Sequence, residues 1–343
     1  MLIGALYTCL ALLSFSSAQY AAYSSNAELL SRAYSMECGM RMQIDEMHDL
    51  YPALNPAFNL TRIALHDHPE GVFPSHRFLV VCGSGALDLV AQEVCLALME
   101  QLCGNGTLGG DALVAFVLLP NPVGRARVLA QYASILSDPS FLYSKGRYNG
   151  TLTAEDLCTD GTGHGVDVDR NFPSVGDDQR HPLGYSLLGR SRLPFSEVEA
   201  RIVSYTLLTI RPTTLFKLET GDYYGAAMPL DRGHAVLTPE LEAAKAELQA
   251  ALAPLLPEAA AMYLAADARR SGPKAGTLTD WAFDSMDVPR VASFSVYNFP
   301  GPFAWSGAPC VFGRVAFLES QLQAAVSRWT PVLLAAFSAA ESL

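Results

Sequence analysis

Apolar residues recur along this chain at two spacings, one helical and one extended, which alternate for most of its length. Ser25-Asn26 offers a helix cap, and Leu29, Leu30 and Ala33 follow at helical spacing, predicting a first helix. Arg62 to Leu65 and Phe78 to Cys82 read as strands, the second a continuous apolar run of the buried kind. Leu87, Val90, Val94 and Leu98 predict a helix from Leu87 to Leu102, with Gly104 as its C-cap. Ala112 to Leu119 is another buried strand, closed by Pro120-Asn121-Pro122. Glu197 to Leu208 is predicted helical and Thr214 to Glu219 extended. Thr238-Pro239 starts a helix over Glu240 to Leu252, and Arg290 to Tyr297 is a strand of β-branched and aromatic residues. An alanine- and leucine-rich helix closes the chain, kinked or restarted at Pro331.

Such alternation predicts an α/β fold: a mixed, mostly parallel central sheet with helices on both faces. Sites in these sheets form at the carboxyl ends of strands. Three segments therefore matter most: Gly83 to Asp88, Glu219 to Asp222, and the strand end near Ser295.

Half of the 343 residues are hydrophobic and 17% are charged, ample apolar material for a core. A net charge of −11 argues against nucleic acid and against anionic membrane surfaces as partners. Met1 to Ala18 is an apolar stretch ending in small residues, the pattern of a signal peptide, too interrupted to be a comfortable membrane span. Secretion to the extracellular space is the expectation, with no membrane span once the signal is removed. Sequons at Asn59, Asn105 and Asn149 agree with it as glycosylation sites. So do Cys38, Cys82, Cys95, Cys103, Cys158 and Cys310, an even set with no C-x-x-C spacing. Their pairing is open, and Cys82 and Cys95, in apolar runs, also fit buried thiols.

The most specific motif is Gly165-Val166-Asp167-Val168-Asp169-Arg170-Asn171-Phe172-Pro173. It resembles the G-[IV]-D-L-N-R-N-F-P motif of zinc metallocarboxypeptidases of the carboxypeptidase A and N/E types, departing sharply only at Asp169. Other segments follow that family's order. Ile63 to Asp67 and Phe78 to Leu102 resemble its early strands and helix, and Leu118 to Pro122 resembles its P-x-x-N-P-D-G turn. Phe195 to Asp231 is similar to the segment carrying the third ligand, and Gly276 to Phe283 to its G-G-x-x-D-W-x-Y segment. The resemblance implies a zinc-carboxypeptidase-like fold as a single domain over 19–343, closer to the N/E branch but without that branch's C-terminal transthyretin-like domain.

The same resemblance implies a lost catalytic set. The family's H-x-x-E zinc ligands fall on Gly85 and Asp88, its third ligand on Glu219, and its general base on Ser295, or on Ser293 if the register slips by two. Zinc needs three good protein ligands and an open position, so neither zinc nor any other cofactor is expected. Without metal and base together, peptide hydrolysis is expected to be lost. The substrate-binding pair falls on Asp169 and Arg170. Arg170 keeps a guanidinium able to grip a carboxylate, and also suits a structural pairing with Asp167 or Asp169. The function implied is a module binding peptides or proteins with a free C-terminal carboxylate. The alternative is an active metallocarboxypeptidase with an unconventional metal site at Asp88 and Glu219.

Three motifs carry less. His66-Asp67-His68 reads as a surface loop rather than a metal triplet. Gly83-Ser84-Gly85 lacks the first glycine of a nucleophile elbow. Tyr223, Tyr224, Tyr297, Phe299, Phe303 and Trp305 suit either a cleft lining or ordinary packing.

Overall fold

A computed structural model describes residues 21–47, 61–68, 73–105, 111–137, 166–173, 194–220, 225–227, 239–256, 277–297 and 318–343. Seven strands form one sheet: β1 (Arg41–Glu46), β2 (Thr61–His66), β3 (His76–Cys82), β4 (Ala112–Val117), β5 (Thr214–Thr220), β6 (Gly225–Ala227) and β7 (Arg290–Tyr297). Their order is β1-β2-β4-β3-β5-β7-β6. The four central strands β4, β3, β5 and β7 run parallel, and antiparallel strands flank them on both sides.

Helices cover both faces, as the alternation predicts. On one face lie α1 (Asn26–Tyr34), α2 (Leu89–Asn105), α5 (Pro239–Leu252) and α7 (Glu319–Glu341), packed on Phe78, Val80, Phe216, Leu218 and Phe294. On the other lie α4 (Val198–Ile210) and α6 (Leu278–Asp284), packed on Leu79, Val81, Leu215 and Val291. A further helix, α3 (Pro122–Ser137), follows β4. Alternate side chains of each strand serve opposite faces, the period-two rule of extended chain.

The helix starts follow local chemistry. Ser25 and Glu28 form a reciprocal capping box on α1, with bonds of 3.2 and 2.7 Å. Asn121 accepts from Gly124 N at 3.0 Å, and Pro122 opens α3 where its missing N–H is harmless. The pattern does not predict α3, although this Asn-Pro pair is a start signal. Nor does it predict β1, an edge strand whose residues are all exposed or half-buried and so lack alternation.

Other details differ from expectation. Gly104 does not end α2, which continues to Asn105. Pro331 does not restart α7, which runs through it as one helix with Trp329, Leu333, Ala336 and Phe337 on its buried face. Cys82 and Cys95 are joined in a disulfide, as are Cys38 and Cys103, so the free-thiol alternative fails. Tyr297 is core, and burial pushes its phenol up to about 12. Among the described residues no helix is long and apolar enough to cross a membrane. The 1–18 segment, Asn59, Asn149, Cys158, Cys310, Tyr223, Tyr224, Phe299, Phe303 and Trp305 lie outside the described residues.

His66 ends β2, and its ring stacks on buried His68 at 4.3 Å, so this is not a solvated loop. Burial, then the charges of neighbouring His68 and Arg41, hold the His66 imidazole below its ordinary range, opposed by a hydrogen bond with the His68 backbone and by Asp67. A folded pKa below the unfolded one makes this contribution complete above the unfolded value of about 6.5. It is lost as pH falls through the folded value, because the unfolded chain binds the proton more readily. Urea unfolding from about pH 7 to pH 5 should therefore show a decline that is shallower in His66→Phe than in the wild type. Parallel declines would rule this origin out.

Candidate functional site

β3 and β5 are neighbours whose chains leave in opposite directions along the sheet, β3 towards β4 and β5 towards β7. A reversal of this kind opens a crevice at the carboxyl ends of strands, where ligands of α/β sheets bind. The turn after β3 begins at Gly83, whose N–H continues the ladder to Leu218 O at 2.9 Å. Gly83 has φ +77°, and a Cβ there would stand 2.6 Å from the Cβ of Asp88. Only glycine suits both conditions.

Asp88 lies at the centre of the crevice and is almost fully buried. One carboxylate oxygen accepts from Gly85 N at 2.8 Å. The other accepts from Thr220 N and Thr220 Oγ1, both at 2.9 Å. This carboxylate knits the start of α2 to the end of β5. Behind it a polar chain runs to α1. Asn121 donates to Ser84 O at 3.3 Å, and Gln92 links Gly83 to the buried Arg125. Arg125 also donates to Asn26 at 2.9 Å and lies 3.8 Å from Glu93. Burial pulls the Arg125 guanidinium down to about 10, against the opposing charges of Glu93 and Tyr23.

The opposite face of β5 carries a second cluster. Lys217 and Glu219 alternate with core residues and share that face with Leu215. Lys217 is fully buried, yet its Nζ lies 2.7 Å from Asp169 Oδ2 and 2.6 Å from Glu219 Oε2. Burial alone draws the ammonium's pKa down. The charges of Asp169 and Glu219, with their hydrogen bonds, outweigh it and leave the pKa raised.

Asp169 is placed by a short 3-10 turn, Val168–Arg170, capped by Asp167 accepting from Asp169 N at 3.0 Å. Its second oxygen accepts from Leu278 N, at the start of α6, at 3.3 Å. Asn171 fixes the turn from below by accepting from Glu197 N at 2.9 Å, and Phe172 packs among Phe195 and Trp281. Arg170, the next residue, is half-buried. On β7, Ser293 lies across from Lys217 and Ser295 across from Glu219. The Ser295 hydroxyl is wholly buried and bonds to none of the described residues.

The structure thus gathers Asp88, Glu219, Ser295 and Asp169 around the ends of β3, β5 and β7. Asn105 is the last residue of α2, away from this crevice. Lys217 is the residue that the pattern passes over. Its signal was a lone lysine inside an apolar strand, with a glutamate two positions on and hence on the same face.

The donors do not fit zinc. Gly85 has no side chain, both oxygens of Asp88 are engaged, and Glu219 is ion-paired to Lys217. Among the described residues no three His, Cys, Asp or Glu side chains converge as a metal site.

Neither a family model nor a curated protein matches the sequence. Solved structures do match the fold. Bovine thrombin-activatable fibrinolysis inhibitor, solved in complex with tick carboxypeptidase inhibitor, is 15% identical, with a TM-score of 0.60 over 94% of this chain and 98% of that one. Carboxypeptidase A from Helicoverpa armigera is 15% identical, with a TM-score of 0.60 over 93% of this chain and 74% of its own. A metallo-carboxypeptidase from Burkholderia cenocepacia is 11% identical, with a TM-score of 0.53 over 91% and 68%. The chain has the metallocarboxypeptidase fold.

Proposed function

We propose that this chain, built on the metallocarboxypeptidase fold, is a secreted protein that does not hydrolyse peptides and instead binds peptides or proteins through a free C-terminal carboxylate. One observation carries the first half: the resemblance's ligand positions hold a glycine, a carboxylate already hydrogen-bonded to Gly85 and Thr220, and a carboxylate paired to Lys217. The general-base position holds Ser295, a hydroxyl too weakly basic to take a proton from water. The two disulfides support an oxidising compartment such as the extracellular space. Arg170 supports the second half as the guanidinium on the motif's turn, able to hold a carboxylate in a fork. Asp169 beside it is neutralised by Lys217 and so repels an incoming carboxylate less than a lone aspartate would. The bovine neighbour is held by a protein inhibitor, which makes a protein ligand a natural candidate.

The test is a peptide library offered to purified protein, together with calorimetric titration of peptides bearing free or amidated C-termini. No C-terminal residue should be released. The free acid should bind at least about tenfold tighter than the amide, and Arg170→Gln should erase that difference. Release of C-terminal residues would sink the first half, and equal or absent binding of both peptides the second.

A further inference from the structure

Lys217 lies beside Glu219, the residue at the resemblance's third ligand position, and two carboxylates surround its ammonium. Two carboxylates from separate parts of the chain, Asp169 and Glu219, converge on one point at 2.7 and 2.6 Å. Those lengths are those of charge-assisted N–H···O bonds. The point is sealed: Lys217 is fully buried, and both acids are mostly so. Two like charges held this near to each other need a positive charge between them in a medium of low dielectric constant.

We propose that the Lys217 ammonium is an internal replacement for a metal ion: it supplies the positive charge that this crevice floor requires and closes the floor to divalent cations. This goes beyond the binding role at Arg170 and shares with it only the metal-free reading of the floor. The consequence is a fold that is independent of metal. The relevant carboxylates are tied to β5, to the 3-10 turn and to α6 through a covalently attached cation that no chelator removes.

Two substitutions separate charge from volume. Lys217→Met fills the space without the charge, whereas Lys217→Ala removes the charge and leaves room for an ion. The wild type should bind neither zinc nor calcium in titration calorimetry, and its Tm should be the same in EDTA and in millimolar calcium. Both variants should melt roughly 5–10 °C lower in EDTA, the effect of removing one partner from a buried ion pair. Calcium should restore part of that loss in Lys217→Ala and none in Lys217→Met.

If neither single variant folds, the triple variant D169N/K217M/E219Q, with the whole charge set removed together, should fold and melt near the wild type. A triple variant that does not fold overturns the proposal, as does Lys217→Met melting like the wild type or calcium failing to raise Tm in a folded Lys217→Ala. Stoichiometric zinc in the wild type would overturn it together with the non-hydrolytic reading. Loss of peptide binding alone would leave it standing.

Discussion

Asp88→Ala is expected to lower the free energy of unfolding by roughly 3–5 kcal/mol, on a scale of about 1–3 kcal/mol for each buried donor left without its acceptor. Three donors would lose this acceptor: Gly85 N, Thr220 N and Thr220 Oγ1, of which the hydroxyl still reaches Leu87 O at 3.2 Å. Two are backbone groups that cannot turn elsewhere, and the site is nearly closed to water. Asp88→Asn should recover part of the loss, since its carbonyl oxygen still accepts while its amide opposes a donor. Urea unfolding of the three proteins at neutral pH checks the order wild type, Asn, Ala. An alanine variant within about 1 kcal/mol of the wild type would show that the carboxylate is not the staple described here.

Gly83→Ala should be of similar size, about 3–5 kcal/mol, from two sources. A left-handed φ strains any L side chain by about 1–3 kcal/mol, and the new Cβ would meet the Asp88 Cβ at 2.6 Å, well inside contact distance. Overpacking of that kind adds roughly 1–3 kcal/mol when the neighbour cannot yield. Asp88 cannot yield without breaking its bonds to Gly85 and Thr220. Strain and overlap are separable in a double-mutant cycle with Asp88→Gly, which removes the opposing Cβ. Gly83→Ala should be less damaging in that background, where the φ strain and the approach to the Asp88 carbonyl oxygen at 3.1 Å remain. Simple additivity would mean that the turn relaxes away from Asp88 and that the overlap contributes nothing.

Both predictions concern a turn that the amino-acid order marks as a glycine-rich segment at the carboxyl end of a strand. Its significance arises because Thr220, 132 residues further on, arrives beside it. That arrival depends on β3 pairing with β5 in the register Cys82 to Leu218. Hydrophobic period locates both strands, but it carries no information on which strand neighbours which, since the central strands are buried on both faces. The motif resemblance supplied the order of parts, and similar solved folds bear it out.

What the chain's order alone determined is local. The helix cap at Ser25, the strand at Arg290 to Tyr297, and the helices near Val198 and Pro239 are all legible there. They follow from side-chain period, cap chemistry and residue type. Only the tertiary structure decided that Asp169, 48 residues before it, turns towards Lys217 rather than Arg170, and that Glu219 completes the triad. A buried lysine is tolerable only beside opposite charge, and which charges stand beside it is a property of sheet register and loop placement, not of spacing along the chain.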